Sequence, residues 1–159
     1  MSRLIGHHLT PALLETLSAP RAVGRADVVI VICSVDEQGR PHPAMLSSLE
    51  IVAGGARSIR MAVHASSRTA RHLAANRHLT IILADETGVF YVKGDADLTA
   101  ASMTSAPAMS MFTLQVDRVL EDTPAEHERA QIVSGIRVTR EAPDADRAQA
   151  MLHELSAER

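Results

Sequence analysis

The sequence predicts a mainly β protein: a six-stranded antiparallel barrel with short helices at its periphery. Three observations carry this expectation. Residues 90–98 alternate with period 2, so that Phe90, Val92, Gly94, Ala96 and Leu98 share one face and Tyr91, Lys93, Asp95 and Asp97 the other. The segments Asp36-Glu37-Gln38-Gly39, Gly54-Gly55 and Asp85-Glu86-Thr87-Gly88 have the turn chemistry that joins antiparallel neighbours. Only one helical stretch interrupts the strands, whereas a parallel sheet needs a crossover helix after nearly every strand.

Taken in order, Thr10 and Pro11 open a helix at about 10–18, as cap and first helical residue, with Leu13, Leu14 and Leu17 on its apolar face. Residues 28–35 are β-branched and continuously apolar, the pattern of a strand buried on both faces. Pro41 and Pro43 follow the first turn and place the next chain segment at a sheet edge. A second strand is expected over 44–52 and a third over 58–64, where Ile59, Met61 and Val63 alternate with smaller or polar residues. A short helix at 67–76 leads to a fourth strand at 78–84 and then to the period-2 fifth strand. The sixth, 109–120, gathers Phe112, Leu114 and Val116 before its alternation breaks at Arg118, where a bulge is expected. The tail reads as helical at 124–133 and again at 144–155, where Ala148, Met151, Leu152 and Leu155 form a stripe.

Composition narrows the function. The chain has 159 residues, a one-domain length, so 1–159 is expected to be a single domain with an N-terminal helix (about 10–18) and a helical tail (about 124–157). Aromatic residues are only 2% and Trp is absent, so no platform for stacking single-stranded nucleic acid can be built. A net charge of -3 argues equally against a basic groove that tracks phosphates. The longest apolar run, 28–33, is far short of a membrane-spanning helix. The first ten residues hold Arg3, His7 and His8 but no apolar signal core, and the single Cys33 suits a reducing compartment; a cytoplasmic location is expected.

Chemistry concentrates where the third strand passes into the helix, at Val63-His64-Ala65-Ser66-Ser67-Arg68-Thr69-Ala70. The first N–H groups of a helix lack internal partners and sit at the positive end of its dipole, so an anion is welcome there. Ser66, Ser67 and Thr69 add hydroxyls, and the Arg68 fork suits phosphate oxygens. The same residues also read as a serine-capped helix with Arg68 in solvent. His64 is the histidine best placed to act as ligand or proton donor; His72 and His78 read as surface residues and Cys33 as a core thiol. Gly94 marks a bulge or a close backbone approach, and Lys93 beside it faces either an anion or solvent. No histidine pair has helix spacing with an acidic third ligand, so no metal site is expected.

The order of these features resembles the pyridoxamine 5′-phosphate oxidase-like superfamily of FMN-binding split β-barrels. The resemblance rests on Val35-Asp36-Glu37-Gln38-Gly39-Arg40-Pro41-His42-Pro43-Ala44, on Ala65-Ser66-Ser67-Arg68-Thr69-Ala70, on Leu73-Ala74-Ala75-Asn76 and on Tyr91-Val92-Lys93-Gly94-Asp95-Ala96, spanning about residues 25–120. It implies a split β-barrel homodimer with the cofactor in a cleft at the subunit interface. It further implies that Arg68 and Ser67, with Ser66 or Thr69, hold the FMN phosphate. Met45, Leu46, Ser47 and Ser48 would line the flavin ring, with Val63 and His64 beside it. With aromatics confined to Phe90, Tyr91 and Phe112, the ring is expected to lie against aliphatic side chains and backbone.

The chain also departs from the oxidases proper. Ala44 and Leu49 stand where those enzymes carry an arginine and a lysine, Thr69 replaces a second basic residue, and their C-terminal arginine-rich substrate motif is not recognisable. A substrate other than pyridoxamine phosphate follows, and the deazaflavin F420 or haem, which relatives bind, are alternatives to FMN. The implied function is an FMN-dependent oxidoreductase acting on a small organic molecule. The alternative is a non-catalytic dimer that binds, senses or stores a flavin, F420 or haem.

Overall fold

A computed structural model describes residues 2–139 and 144–157. In chain order its first half comprises β1 (Arg3–Gly6), α1 (Pro11–Thr16), α2 (Ala19–Val23), β2 (Val29–Val35), β3 (Pro41–Ser47), a 3₁₀ turn (Ser48–Glu50), β4 (Ile51–Gly55) and β5 (Ser58–His64). There follow α3 (Arg68–Asn76), β6 (His78–Asp85), β7 (Gly88–Ala100), β8 (Met109–Asp122), a second 3₁₀ turn (Glu126–Glu128) and α4 (Ala145–Ser156).

The strands form one antiparallel sheet of eight, in the order β3-β2-β6-β7-β8-β5-β4, with β1 paired to β8. Two more strands are present than the six expected. β1 comes from a segment without apolar alternation and borrows its order from β8 through Leu4 opposite Leu120. The expected second strand, 44–52, is broken in two by the 3₁₀ turn. Ser47 and Glu50 cap that turn reciprocally, with the Ser47 N–H donating to Glu50 Oε2 at 2.7 Å. The break shapes the whole fold. β3 and β4 lie at opposite ends of the strand order, yet only three residues join them. The sheet must therefore curl until its two edges meet, and it closes as a barrel split along that seam.

Local signals positioned the hairpins. Gly39 takes φ +77° in the β2–β3 turn, a conformation open to glycine. Pro43 and Pro41 pair with Cys33 and Val35 on edge strand β3, where a missing N–H costs nothing. The bulge falls one residue before Arg118: Lys93 opposes Arg118 and Gly94 opposes Val116, leaving Asp117 over. The interior of the barrel is filled by fully buried side chains such as Ile32, Ile59, Met61, Ile81, Phe112 and Leu114. A second apolar cluster, including Leu49, Val52, Ala62, Met111, Leu152 and Leu155, packs α4 onto the outer face of β4 and β5. The strand buried on both faces is thus β5, through Met61 and Ala62. β2 alternates between buried and half-buried residues, so Cys33 is half-exposed and is not a core thiol.

The termini differ from expectation in instructive ways. Thr10 caps α1 as read, accepting the Leu13 N–H, but Ser18-Ala19-Pro20 starts α2 instead of ending helical structure, because proline is at home in a first helical turn. The expected helix at 124–133 is only the 3₁₀ turn. Downstream, the backbone takes its hydrogen bonds from the start of β2: Val29 N–H donates to Ile136 O at 2.9 Å and Val138 N–H to Asp27 O at 2.8 Å. Gly135 lets the same segment also lie against β6, since a Cβ there would stand 2.1 Å from the Ala84 carbonyl oxygen. α4 forms as expected behind its Asp144 cap.

Arg137 Nε donates to Asp27 Oδ2 at 2.8 Å and fastens the same segment. That bond holds the Asp27 carboxyl below its ordinary value of 3.8. The folded state therefore binds fewer protons than the unfolded one. The contribution of this pair is present above pH 3.8 and lost as pH falls through the lower, folded value. Asp27→Asn is expected to flatten the acid side of a plot of urea midpoint against pH; an acid limb identical to the parent's would refute the linkage.

Candidate functional site

The strand-to-helix passage is built as its residues suggest. β5 ends at His64, whose carbonyl accepts the Ser67 N–H at 2.9 Å. Ser67 is the N-cap of α3 and its Oγ accepts the Ala70 N–H at 3.1 Å. The backbone N–H groups of Arg68 and Thr69 have no acceptor among the described residues, so two donors stand free at the positive end of α3.

Across from this helix end runs β3, and the space between is a cleft of about 220 Å³. Its apolar wall is Ile32, Ala44, Met45, Leu46, Val63 and Met109; Ser67, Thr69 and His64 border it at the helix end, and Glu50 at the 3₁₀ turn. The sequence-predicted residues Met45, Leu46, Val63, His64, Ser67 and Thr69 are therefore brought together. Met45 stands 68% exposed at the rim, whereas Leu46, Val63 and Thr69 are buried.

Four others go elsewhere. Ser47 caps the 3₁₀ turn and borders a neighbouring cleft under α4, with Arg147 and Met151. Ser48 donates its hydroxyl toward the carbonyls of Arg25, at 2.6 Å, and Ala22, at 3.0 Å, so it anchors α2. Ser66 is exposed and pairs with His64 Nδ1 at 3.0 Å. Arg68 turns its side chain into a separate cleft on the far side of α3, with Arg71, His42 and His72. Consecutive residues at the start of a helix point in different directions, and that periodicity divides Ser67 and Thr69 from Arg68.

Ile32, Ala44, Glu50 and Met109 are the cleft residues that local reading missed as site residues. Ala44 and Ile32 face each other in the β2–β3 register, and Met109 opposes His64 in the β5–β8 register, a pairing no single segment announces. Lys93 is exposed and lies opposite Arg118, away from the cleft. His78 is a surface partner of Asp95 at 2.9 Å. Among the described residues no group of three His, Cys, Asp or Glu side chains could hold a metal ion, and no helix is long and apolar enough to cross a membrane.

Fold and site together define an antiparallel split barrel with an apolar cleft where a strand meets a helix N-terminus. No protein-family profile and no curated protein matches the sequence. Solved structures match the fold. One is a protein of Lactobacillus delbrueckii provisionally named a pyridoxamine 5′-phosphate oxidase, 12% identical with TM-score 0.58, the match covering 75% of this chain and 98% of that one. Another is HupZ of Group A Streptococcus, 10% identical with TM-score 0.55, covering 82% of this chain and 99% of that one. The fold is that of the pyridoxamine 5′-phosphate oxidase-like split barrels.

Proposed function

We propose that the cleft between β3 and α3 binds FMN non-covalently, and that the whole chain acts as a single flavin-binding domain in an oxidoreductase for a small organic substrate. One observation carries this reading. An apolar cleft is bordered by Ser67 and Thr69, at the start of a helix whose first N–H groups lack acceptors among the described residues, the pairing that a ring with a phosphate tail requires. Leu46, Val63 and Met109 would hold the ring by apolar contact and keep water from it. The Ser67 and Thr69 hydroxyls and the amides of Arg68 and Thr69 would hold the phosphate. Bound FMN would supply electron transfer, and the chain would supply placement and a dry wall. The reading places the protein in the cytoplasm, where Cys33 stays reduced.

At about 220 Å³ the cleft is smaller than the roughly 300–1,000 Å³ usual for ligand sites, so one chain is read as giving part of the lining. A homodimer that covers Met45 would complete it. The alternative reading, non-catalytic binding of haem, has its own support: His64 borders the cleft with Nδ1 paired to Ser66 Oγ and Nε2 without a partner among the described residues. Titration of the purified chain with FMN, F420 and haemin tests both. Saturable FMN uptake, one per chain, in a particle of twice 17.1 kDa supports the proposal. Preference for haem that is lost in His64→Ala would overturn it.

A further inference from the structure

The second cleft beside α3 holds about 330 Å³ between that helix and the β2–β3 hairpin. On the helix side stand Arg68, Arg71 and His72; on the hairpin side stand His42, Asp36 and Glu37. Arg68 and Arg71, three apart, lie on neighbouring positions of one helix face. No hydrogen bond or ion pair reaches either guanidinium among the described residues, although two carboxylates border the same cleft. Arg3, Arg21, Arg77, Arg118 and Arg137, by contrast, each pair with an acid. The Asp36 carboxylate is engaged within its own turn, accepting the N–H of Arg40 at 2.8 Å and of Gln38 at 2.9 Å. Glu37 is exposed. The two imidazoles meet edge to face with centroids 4.8 Å apart; Ser34 Oγ lies 3.2 Å from His72 Nδ1, and that ring's Nε2 has no partner among the described residues.

The geometry points to a second anion site in this cleft, one that takes a small phosphate or phosphate monoester independently of whatever fills the apolar cleft. Donors approach from two walls: planar forks from the helix and an imidazole from the hairpin. A tetrahedral phosphate accepts hydrogen bonds from several directions and suits such a set better than a planar carboxylate. The rim carboxylates Asp36 and Glu37 disfavour an extended polyanion and leave room for one compact head. Ser34 and His42, which oppose each other in the β2–β3 register, continue the face that carries Ile32 and Ala44 in the apolar cleft. The two clefts are therefore successive along β3, and the start of α3 divides them.

Isothermal titration of the full chain with inorganic phosphate, glycerol 3-phosphate and succinate, each with and without FMN, tests the assignment. The expected result is one phosphate per chain whether or not FMN is present, equal or tighter binding of the monoester, and weak binding of succinate. Arg71→Ala is expected to weaken phosphate binding by about tenfold or more and to leave FMN binding unchanged. Arg71 is exposed and alanine favours a helix, so an unchanged thermal unfolding curve will confirm that the variant is folded. Competition between phosphate and FMN would make this cleft the cofactor's own phosphate pocket and overturn a separate site. Absence of saturable phosphate binding, equal binding of succinate, or an Arg71→Ala variant that binds like the parent would overturn it as well. If FMN does not bind at all, the phosphate titration still decides this proposal by itself.

Discussion

Gly94→Val is expected to abolish folding. Gly94 lies in the middle of β7, paired to Leu79 of β6 on one side and to Val116 of β8 on the other, at the point where Asp117 bulges out. A Cβ at this position would stand 1.9 Å from the carbonyl oxygen of Gln115 and 2.9 Å from its carbon. Those atoms are backbone in a strand that is itself paired on its other edge to β5, so neither side can retreat without breaking a ladder. Crowding a core where side chains can repack costs about 1–3 kcal/mol; an overlap with fixed backbone exceeds that. Against a total stability of about 5–15 kcal/mol, the three heavy atoms of a valine side chain remove most of what holds the sheet. Urea unfolding followed by circular dichroism is expected to show no cooperative transition. Gly94→Ala introduces the same first carbon and is expected to lose at least about 3 kcal/mol. An alanine variant with the parent's midpoint would show that β7 and β8 do not approach this closely.

Ala44→Trp is expected to weaken FMN binding by at least about 100-fold, roughly 2.7 kcal/mol, while the fold survives. Ala44 is half-buried on edge strand β3, opposite Ile32, and its side chain borders the apolar cleft. An indole there fills the space where the flavin ring would lie. Among the described residues β3 is an edge strand, so the indole has room to enter the cleft; Ala44 also packs against the barrel core, and the variant's urea midpoint is therefore measured beside its FMN binding. The substitution also supplies its own control, because the natural chain has no Trp. Its emission should be blue-shifted if the indole enters the cleft and red-shifted if it swings into water. A blue-shifted variant that takes up FMN like the parent would place the cofactor elsewhere on the protein.

Much of the barrel was legible because its determinants are local. The turn at Gly39, the prolines on the edge strand, the alternation of β7 and the break near Arg118 each depend on a few adjacent residues and on the period of two. The start of α3 was equally legible: a serine followed by free N–H groups is a property of one helical turn. The segment around Gly135 was not. It falls between the helices expected at 124–133 and 144–155, and its hydrogen bonds come from Asp27 and Val29, more than a hundred positions away in sequence.

The candidate site divides along the same line. That Ser67 and Thr69 border a cleft with Met45, Leu46 and Val63 agrees with the order of motifs along the chain. That Arg68 leaves this group for a cleft shared with Arg71, His42 and His72 follows from the turn of α3 against the β2–β3 hairpin, and no spacing rule foretells it. By itself the sequence determined most of the strands and turns, though not β1 or the break between β3 and β4, together with the capped helix and the acidic, aromatic-poor character that excludes a stacking platform. Only the tertiary structure decided that β3 and β4 meet as the two lips of a split barrel, that Met109 and Glu50 join the cleft, and that Ser67 and Thr69 border one cleft while Arg68 borders another. The reason is physical. Periodicity and capping are set by neighbours along the chain, whereas register and the facing of side chains across α3 are set by which distant backbone groups remain to be satisfied once the sheet has curled.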